Sequence, residues 1–318
     1  MALFLSDEVV ASQLSIVDAV RCVDEAFQAL ARGEARNGVR TRTMVGPAVL
    51  NLMWAFAPTI RMMGVKSYLT AGHGVTRGTT LNLLLYLMQT GELVGHLQAN
   101  LLGQIRTGAA TVVATRAMAN REPSVLAIYG TGFQAEYQVR CLLTVLETIR
   151  DVHVVGRDPD RTSVFVRRLS VEFGNVRFLP CNSFTAASGA DVIVTATASA
   201  TPLFEASWLK PGVHINAIGS NDPGKCEIGR DVLERADLIL VDDHEVAAAE
   251  CGDLVANHWD LSEIGTLGDL LIGKVPGRWS PGEITVFESQ GLAILDVVAG
   301  AFALTQAGQK GLGVNLGA

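Results

Sequence analysis

At 318 residues the chain is long enough for two domains of roughly 100 to 200 residues, each with its own core. It is 49% hydrophobic and 18% charged, which excludes long disordered tails, and its 32 acidic residues outnumber 25 basic ones with no Lys/Arg-rich run. That balance argues against nucleic acid or an anionic membrane as the main partner, so a small anionic substrate would need locally placed cations.

Residues 1–6 lack the basic lead-in of a signal or transit peptide, and Asp7 and Glu8 follow at once, so the expected location is the cytoplasm. Val9, Val10, Leu14, Val17, Val20, Val23, Phe27 and Leu30 recur at near-helical spacing between a Ser6 or Asp7 cap and Gly33, predicting an amphipathic helix or helix pair. From Val39 to Leu97 short β-prone runs follow, with Thr90-Gly91 as a turn, predicting an antiparallel sheet. The longest charge-free apolar stretch, Thr43 to Ile60, contains Pro47, Asn51 and Pro58 and reads as broken strands, not as a membrane span. Asn100 begins an Ala-rich helix that ends before Pro123.

Beyond Pro123 strand and helix alternate: Val125 to Tyr129, a helix near 134–145, Val152 to Val155, a helix near 160–173, then strands at Val192 to Ala196, His214 to Ile218, Leu238 to Val241 and Ile284 to Phe287, and a closing helix from Gly291 to Gln306. The predicted class is α/β: a Rossmann doubly wound parallel sheet over residues 120–289, plus an α+β substrate-binding and dimerisation domain built from residues 1–119 and the C-terminal segment 290–318. Five scattered cysteines, with no CxxC and no histidine at ligand spacing, read as free thiols, and no metal site is expected.

The strongest local motif is the strand Val125 to Tyr129 running into Gly130-Thr131-Gly132-Phe133-Gln134-Ala135 and a helix. In a dinucleotide site Gly130 permits the tight turn, Gly132 admits a pyrophosphate, Ala135 lets the helix approach the sheet, and the helix N-terminus favours the anion. The bland alternative is a Gly-rich turn that binds nothing. After the second strand comes Gly156-Arg157-Asp158, where a ribose-gripping acid would serve NAD; Arg157 there suits the 2′-phosphate of NADP, so NADP(H) is favoured with NAD(H) as the alternative. Otherwise Arg157 is a solvated turn residue. Lys66, alone among strand formers, is either an edge gatekeeper or, with Arg106 near the start of its helix, part of a carboxylate-binding site.

These residues occur in an order that resembles the ornithine cyclodeaminase/mu-crystallin family. The matching stretches are Gly64-Val65-Lys66, Thr90-Gly91-Glu92, Leu102 with Arg106-Thr107-Gly108-Ala109-Ala110, Gly130 to Ala135 with Gln138, Ala196-Thr197 with Ser199 and Pro202, Ile218 to Lys225, Glu250 to Leu254 and Thr285-Val286-Phe287. The resemblance implies a homodimer, a dinucleotide-binding domain and chemistry at an amino or imino acid carbon. It assigns Lys66 and Arg106 to the substrate carboxylate, with Arg42 or Arg40 as a third cation. Thr107, Thr131, Phe133, Gln134, Thr197, Ser220 and Gly291 join Gly130, Gly132 and Arg157 as cofactor-contact candidates. The loop Asn221-Asp222-Pro223 would face the substrate amine. Cyclodeaminases and the related alanine dehydrogenases carry an Asp two residues before that Pro, where it serves the amine; here it is Asn221, which accepts no proton, with Asp222 one step later. The usual Leu-Thr before the helix Arg is Leu102-Gly103. The leading expectation is therefore an NAD(P)H-dependent ketimine reductase or amino-acid dehydrogenase, beside ornithine cyclodeamination with bound NAD and a mu-crystallin-like binder of NADPH and a small ligand.

Overall fold

The computed structural model of the protein describes residues 2–71 and 79–317. By compactness the chain divides into two units, Met1–Arg106 with Leu292–Ala318, and Thr107–Gly291.

The first unit begins with β1 (Leu3–Leu5), α1 (Asp7–Gln13) and α2 (Ile16–Ala31). The amphipathic segment is a helix pair because Ser6 and Ser15 each accept a backbone N–H three residues on, giving two N-caps. Gly33, with φ of +72°, closes α2 in the left-handed conformation that glycine takes without strain. The strands β2 (Arg36–Asn37), β3 (Thr41–Val45), β4 (Ala48–Ala57), β5 (Met62–Ala71), β6 (Asn82–Leu87) and β7 (Leu93–Gln98) then form an antiparallel meander in which β2 and β3 both pair with β4. Strand β1 joins it parallel to β7; three residues are too few for an alternating pattern to announce a strand. Helix α3 (Asn100–Met118) follows, its first turn held by Asp7, whose carboxylate accepts from Leu101 N–H at 2.9 Å.

The second unit contains β8 (Val125–Tyr129), α4 (Phe133–Val145), β9 (Asp151–Val155), α5 (Pro159–Glu172), β10 (Arg177–Pro180), α6 (Ser183–Gly189), β11 (Val192–Thr195), β12 (His214–Ala217), α7 (Arg230–Arg235), β13 (Leu238–Val241), α8 (His244–Glu250), α9 (Gly252–Ala256), β14 (Gly265–Thr266), α10 (Leu267–Leu271) and β15 (Thr285–Glu288). Its strands form one parallel sheet in the order β10-β9-β8-β11-β12-β15-β13-β14. The chain winds outward from β8 in both directions, which is the doubly wound arrangement and puts a topological switch point between β8 and β11. The central strands β8 and β11 are near-continuous apolar runs because both faces are covered, and β12 is buried throughout although it carries His214 and Asn216. The two edges, β10 and β14, are short and only partly buried, so their sequences carry no such run.

The chain then returns to the first unit as α11 (Ala293–Gln309), and β16 (Val314–Asn315) pairs with β1. Helix α11 is apolar almost all round, as a buried helix must be. It lies so close to the sheet that a Cβ on Gly64 would stand 2.6 Å from Val297, and one on Gly300 would stand 2.6 Å from Leu83. Among the described residues no helix is long and apolar enough to cross a membrane, and all five cysteines are free.

Candidate functional sites

In the first unit, cross-strand register aligns Met53 on β4, Lys66 on β5, Leu83 on β6 and Leu97 on β7 in one row. The other members of that row are buried apolar side chains facing α11, yet Lys66 sits among them at 2% exposure. The gatekeeper reading of Lys66 is thereby corrected: β5 is an inner strand, flanked by β4 and β6, and its ammonium points away from water.

A buried ammonium needs a partner, and it has one that the motif reading did not name. Asp296 on α11, fully buried, accepts from Lys66 Nζ at 2.7 Å and from Arg106 Nε at 3.2 Å through the same oxygen, Oδ1. Its second oxygen, Oδ2, is buried without a hydrogen bond. Burial by itself would raise the Asp296 carboxyl, but Arg106 and Lys66 outweigh it and hold the group below its ordinary value, as an ionised carboxylate. Burial pulls the Lys66 ammonium down to about 8, opposed by Asp296 and assisted by Arg106 and Arg40. Of the two upstream arginines, Arg40 thus acts on Lys66; Arg42, half-buried on β3, is paired with Asn51 and shares the inner face of the sheet. The Gly103 departure has a spatial meaning: a Cβ there would stand 3.3 Å from Lys66 Nζ.

In the second unit, Gly130 follows β8 with φ of +115°, donates to Val155 O at 2.8 Å, and has no room for a side chain, since a Cβ would stand 2.5 Å from Ala196 O. Gly132 is the N-cap of the 13-residue helix α4 and brings no capping side chain of its own, and nothing lies within 4 Å of where its Cβ would be. An open glycine at the N-terminus of a helix that follows a buried strand forms a cradle that fits a dinucleotide pyrophosphate. Thr131 and Gln134 are partly buried there, Gln134 Oε1 lacks a hydrogen bond, and Phe133 is exposed. Past β9, Arg157 is exposed, while Asp158 is the N-cap of α5, accepting from Asp160 and Arg161 N–H.

Apart from Thr107, the remaining candidates lie beyond the C-terminal ends of the strands, where many are engaged within the protein. Thr197 donates from both N–H and Oγ1 to Glu227 Oε1 at 2.6 Å, and Ser220 Oγ accepts from Asp253 N–H at 2.8 Å. Asn221 Oδ1 accepts from Lys225 Nζ at 2.7 Å, and Asp222, half-buried, accepts from Gly224 N–H at 2.9 Å. Gly291, with φ of +82°, donates to Asp242 Oδ2 at 2.8 Å. Thr107 is buried on α3.

Beneath these loops lies a group of buried carboxylates that motif reading could not assign. Glu227 also accepts from Thr195 Oγ1 and Gly219 N–H, each at 2.8 Å, and Asp253 accepts from Glu227 N–H at 2.6 Å. With neutral donors and one another for company, burial dominates: Glu227 and Asp242 are each raised to about 7, Asp253 to about 6, and Glu288 well above its ordinary value.

A doubly wound sheet with a glycine cradle, in a chain that also carries a buried cation pair on an α+β unit, defines a class of two-unit α/β proteins of the dinucleotide-binding type. Within that class, the chain belongs to the ornithine cyclodeaminase/mu-crystallin family, whose model matches residues 2–310. It is 35% identical over 244 residues to a Delta(1)-pyrroline-2-carboxylate reductase of Bacillus cereus, covering 74% of each chain. Among solved structures it resembles the Delta(1)-pyrroline-2-carboxylate reductase of Thermococcus litoralis in complex with NADH and L-proline, with a TM-score of 0.93 and 25% identity over 99% of this chain and 100% of that one. It likewise resembles an archaeal alanine dehydrogenase dimer with bound NAD, with a TM-score of 0.92 and 29% identity over 99% of both chains.

Proposed function

We propose that the protein is an NAD(P)H-dependent reductase of a cyclic imino acid of the Δ1-pyrroline-2-carboxylate type, running in reverse as an amino-acid dehydrogenase. The observation that carries this reading is the pair Lys66 and Arg106, set in an apolar interior where two cations have no structural need to meet. Their free donors bind the substrate carboxylate and fix the α carbon by position. The first unit is then the substrate domain and the second the dinucleotide domain, with the Gly130 to Gln134 loop cradling the pyrophosphate. When bound, the dinucleotide supplies the hydride. The proton at the imine nitrogen falls to Asp222 or to a water held by its loop. Arg157, with no acid beside it except the helix cap Asp158, supports a preference for NADP(H).

Cyclodeamination is the weaker reading because Asn221 replaces the family's carboxylate and its side chain is tied to Lys225. A homodimer is supported by the outer face of the first sheet, where Leu50, Leu52, Trp54 and Leu69 form an exposed apolar patch on β4 and β5. Five free thiols suit a reducing compartment such as the cytoplasm.

The discriminating experiment supplies Δ1-pyrroline-2-carboxylate with NADPH or NADH and, separately, ornithine with a trace of NAD. The expected result is cofactor oxidation with proline formed, faster with NADPH. Proline and ammonia from ornithine without net cofactor loss would replace this reading with cyclodeamination.

A further inference from the structure

Two cations are assigned to the substrate by family resemblance, but the group that holds them is not. We propose that Asp296 is the positioning residue of the carboxylate site, presenting Lys66 and Arg106 to the substrate in one fixed geometry. This rests on the reading of those two cations as the carboxylate-binding pair.

The geometry is specific. Asp296 occupies the Nε edge of the Arg106 guanidinium at 3.2 Å, and that edge is one of the two ways an arginine can grip a carboxylate. With Nε engaged, the two terminal nitrogens remain as the fork for a ligand. The same Oδ1 takes one of the three ammonium hydrogens of Lys66 at 2.7 Å, so ammonium and guanidinium are hinged on a single oxygen and cannot turn independently. Asp296 is the only charged side chain of α11, and it stands where the helix is packed hard against β5, with Val297 beside it over Gly64. A hinge on a buried helix is more rigid than one on a loop.

Among the described residues the charged groups that act on Lys66 are Asp296 on α11, Arg106 on α3 and Arg40 ahead of β3. Among these described groups Asp296 alone favours the ammonium. The site should therefore bind carboxylate below about pH 8 and lose it above, and without Asp296 that loss should set in at lower pH.

The test uses the intact protein with bound NADPH and pyrrole-2-carboxylate, a planar unreactive carboxylate, so binding is read without turnover. In the wild type the Kd should be flat at low pH and rise about tenfold per pH unit beyond the titration of Lys66. In Asp296→Asn the rise should begin about one pH unit or more lower. In Lys66→Arg it should vanish, since a guanidinium does not titrate in this range, and adding Asp296→Asn to that background should weaken binding equally at every pH. An unshifted profile in Asp296→Asn would overturn the proposal, because a merely structural loss scales the curve without moving it. Should Asp296→Asn not fold, Asp296→Glu keeps the charge but moves it by a methylene: a Kd raised severalfold with the pH profile in place is expected, and an unchanged Kd would overturn the hinge. Absence of pyrrole-2-carboxylate binding to the wild type at any pH would instead count against the carboxylate reading itself.

Discussion

Both units of this protein bury carboxylates, with opposite results. In the first, Asp296 meets an ammonium and a guanidinium and stays ionised; in the second, Glu227, Asp242, Asp253 and Glu288 meet backbone N–H groups, hydroxyls, a thiol and each other, and their affinity for protons rises. The degree of burial is the same, so the difference lies in the partners. Two cations together outweigh burial at Asp296, whereas dipoles offset it only in part at Glu227 and its neighbours. In the proposed reading the first arrangement orients charges toward a ligand, while the second ties loops together at the strand ends.

The comparison breaks most visibly at Lys66. Lys66→Met should lower kcat/KM for a carboxylate substrate by about 100-fold, equivalent to about 3 kcal/mol, because one ligand cation is lost and Arg106 keeps Asp296 to itself. Dinucleotide affinity, measured by fluorescence titration, should change by less than about twofold; a parallel loss of both would contradict the division of labour.

Next in size is Glu227→Gln, expected to cost about 2 kcal/mol in urea unfolding, since four donors converge on that carboxylate and an amide satisfies fewer of them. The pH dependence sharpens this. Because Glu227 has its folded pKa raised to about 7, the folded state holds a proton between about pH 4 and 7 that the unfolded chain has released. Stability from this group is thus complete below about pH 4 and declines as pH rises toward 7. The variant should show a shallower decline over that window than the wild type, and identical slopes would show that Glu227 does not titrate there.

Arg157→Ala tests the cofactor side of the second unit, with an expected rise of about tenfold in the Kd for NADPH and little change for NADH. Equal effects on both would assign Arg157 to general charge and not to the 2′-phosphate. The smallest effect belongs to Gly103→Ala: the methyl would stand 3.3 Å from Lys66 Nζ, so KM for the carboxylate should rise severalfold while Tm holds or increases, helped by up to about 1 kcal/mol of helix propensity.

What was legible in the sequence follows the same physics. The strands at Val125, Val192 and Leu238 declare themselves as apolar runs, those at Val152, His214 and Thr285 are read from shorter β-prone pieces in the same strand–helix rhythm, and β10 and β14, at the sheet edges, escape notice. The glycine loop is readable because backbone geometry alone excludes other residues at Gly130. Lys66 and Arg106 stand out as charges in apolar surroundings, but their meeting does not, since they lie 40 positions apart in the chain and on different elements. Asp296 carried the same signal, a lone charge in the apolar run from Ala293 to Leu304, and reading it by that rule would have found it. The Glu227 network was illegible because half of the donors to that carboxylate are backbone N–H groups, which no side-chain pattern records, and the rest come from threonines some 30 positions away.

The central claim, hydride delivery to the α carbon of a carboxylate-anchored imine, is tested most directly by following the hydride itself. NADPH carrying deuterium at the transferable position, given with Δ1-pyrroline-2-carboxylate, should yield proline with one deuterium at the α carbon for each cofactor oxidised. Proline formed without label, or no cofactor oxidation at all, would contradict the account.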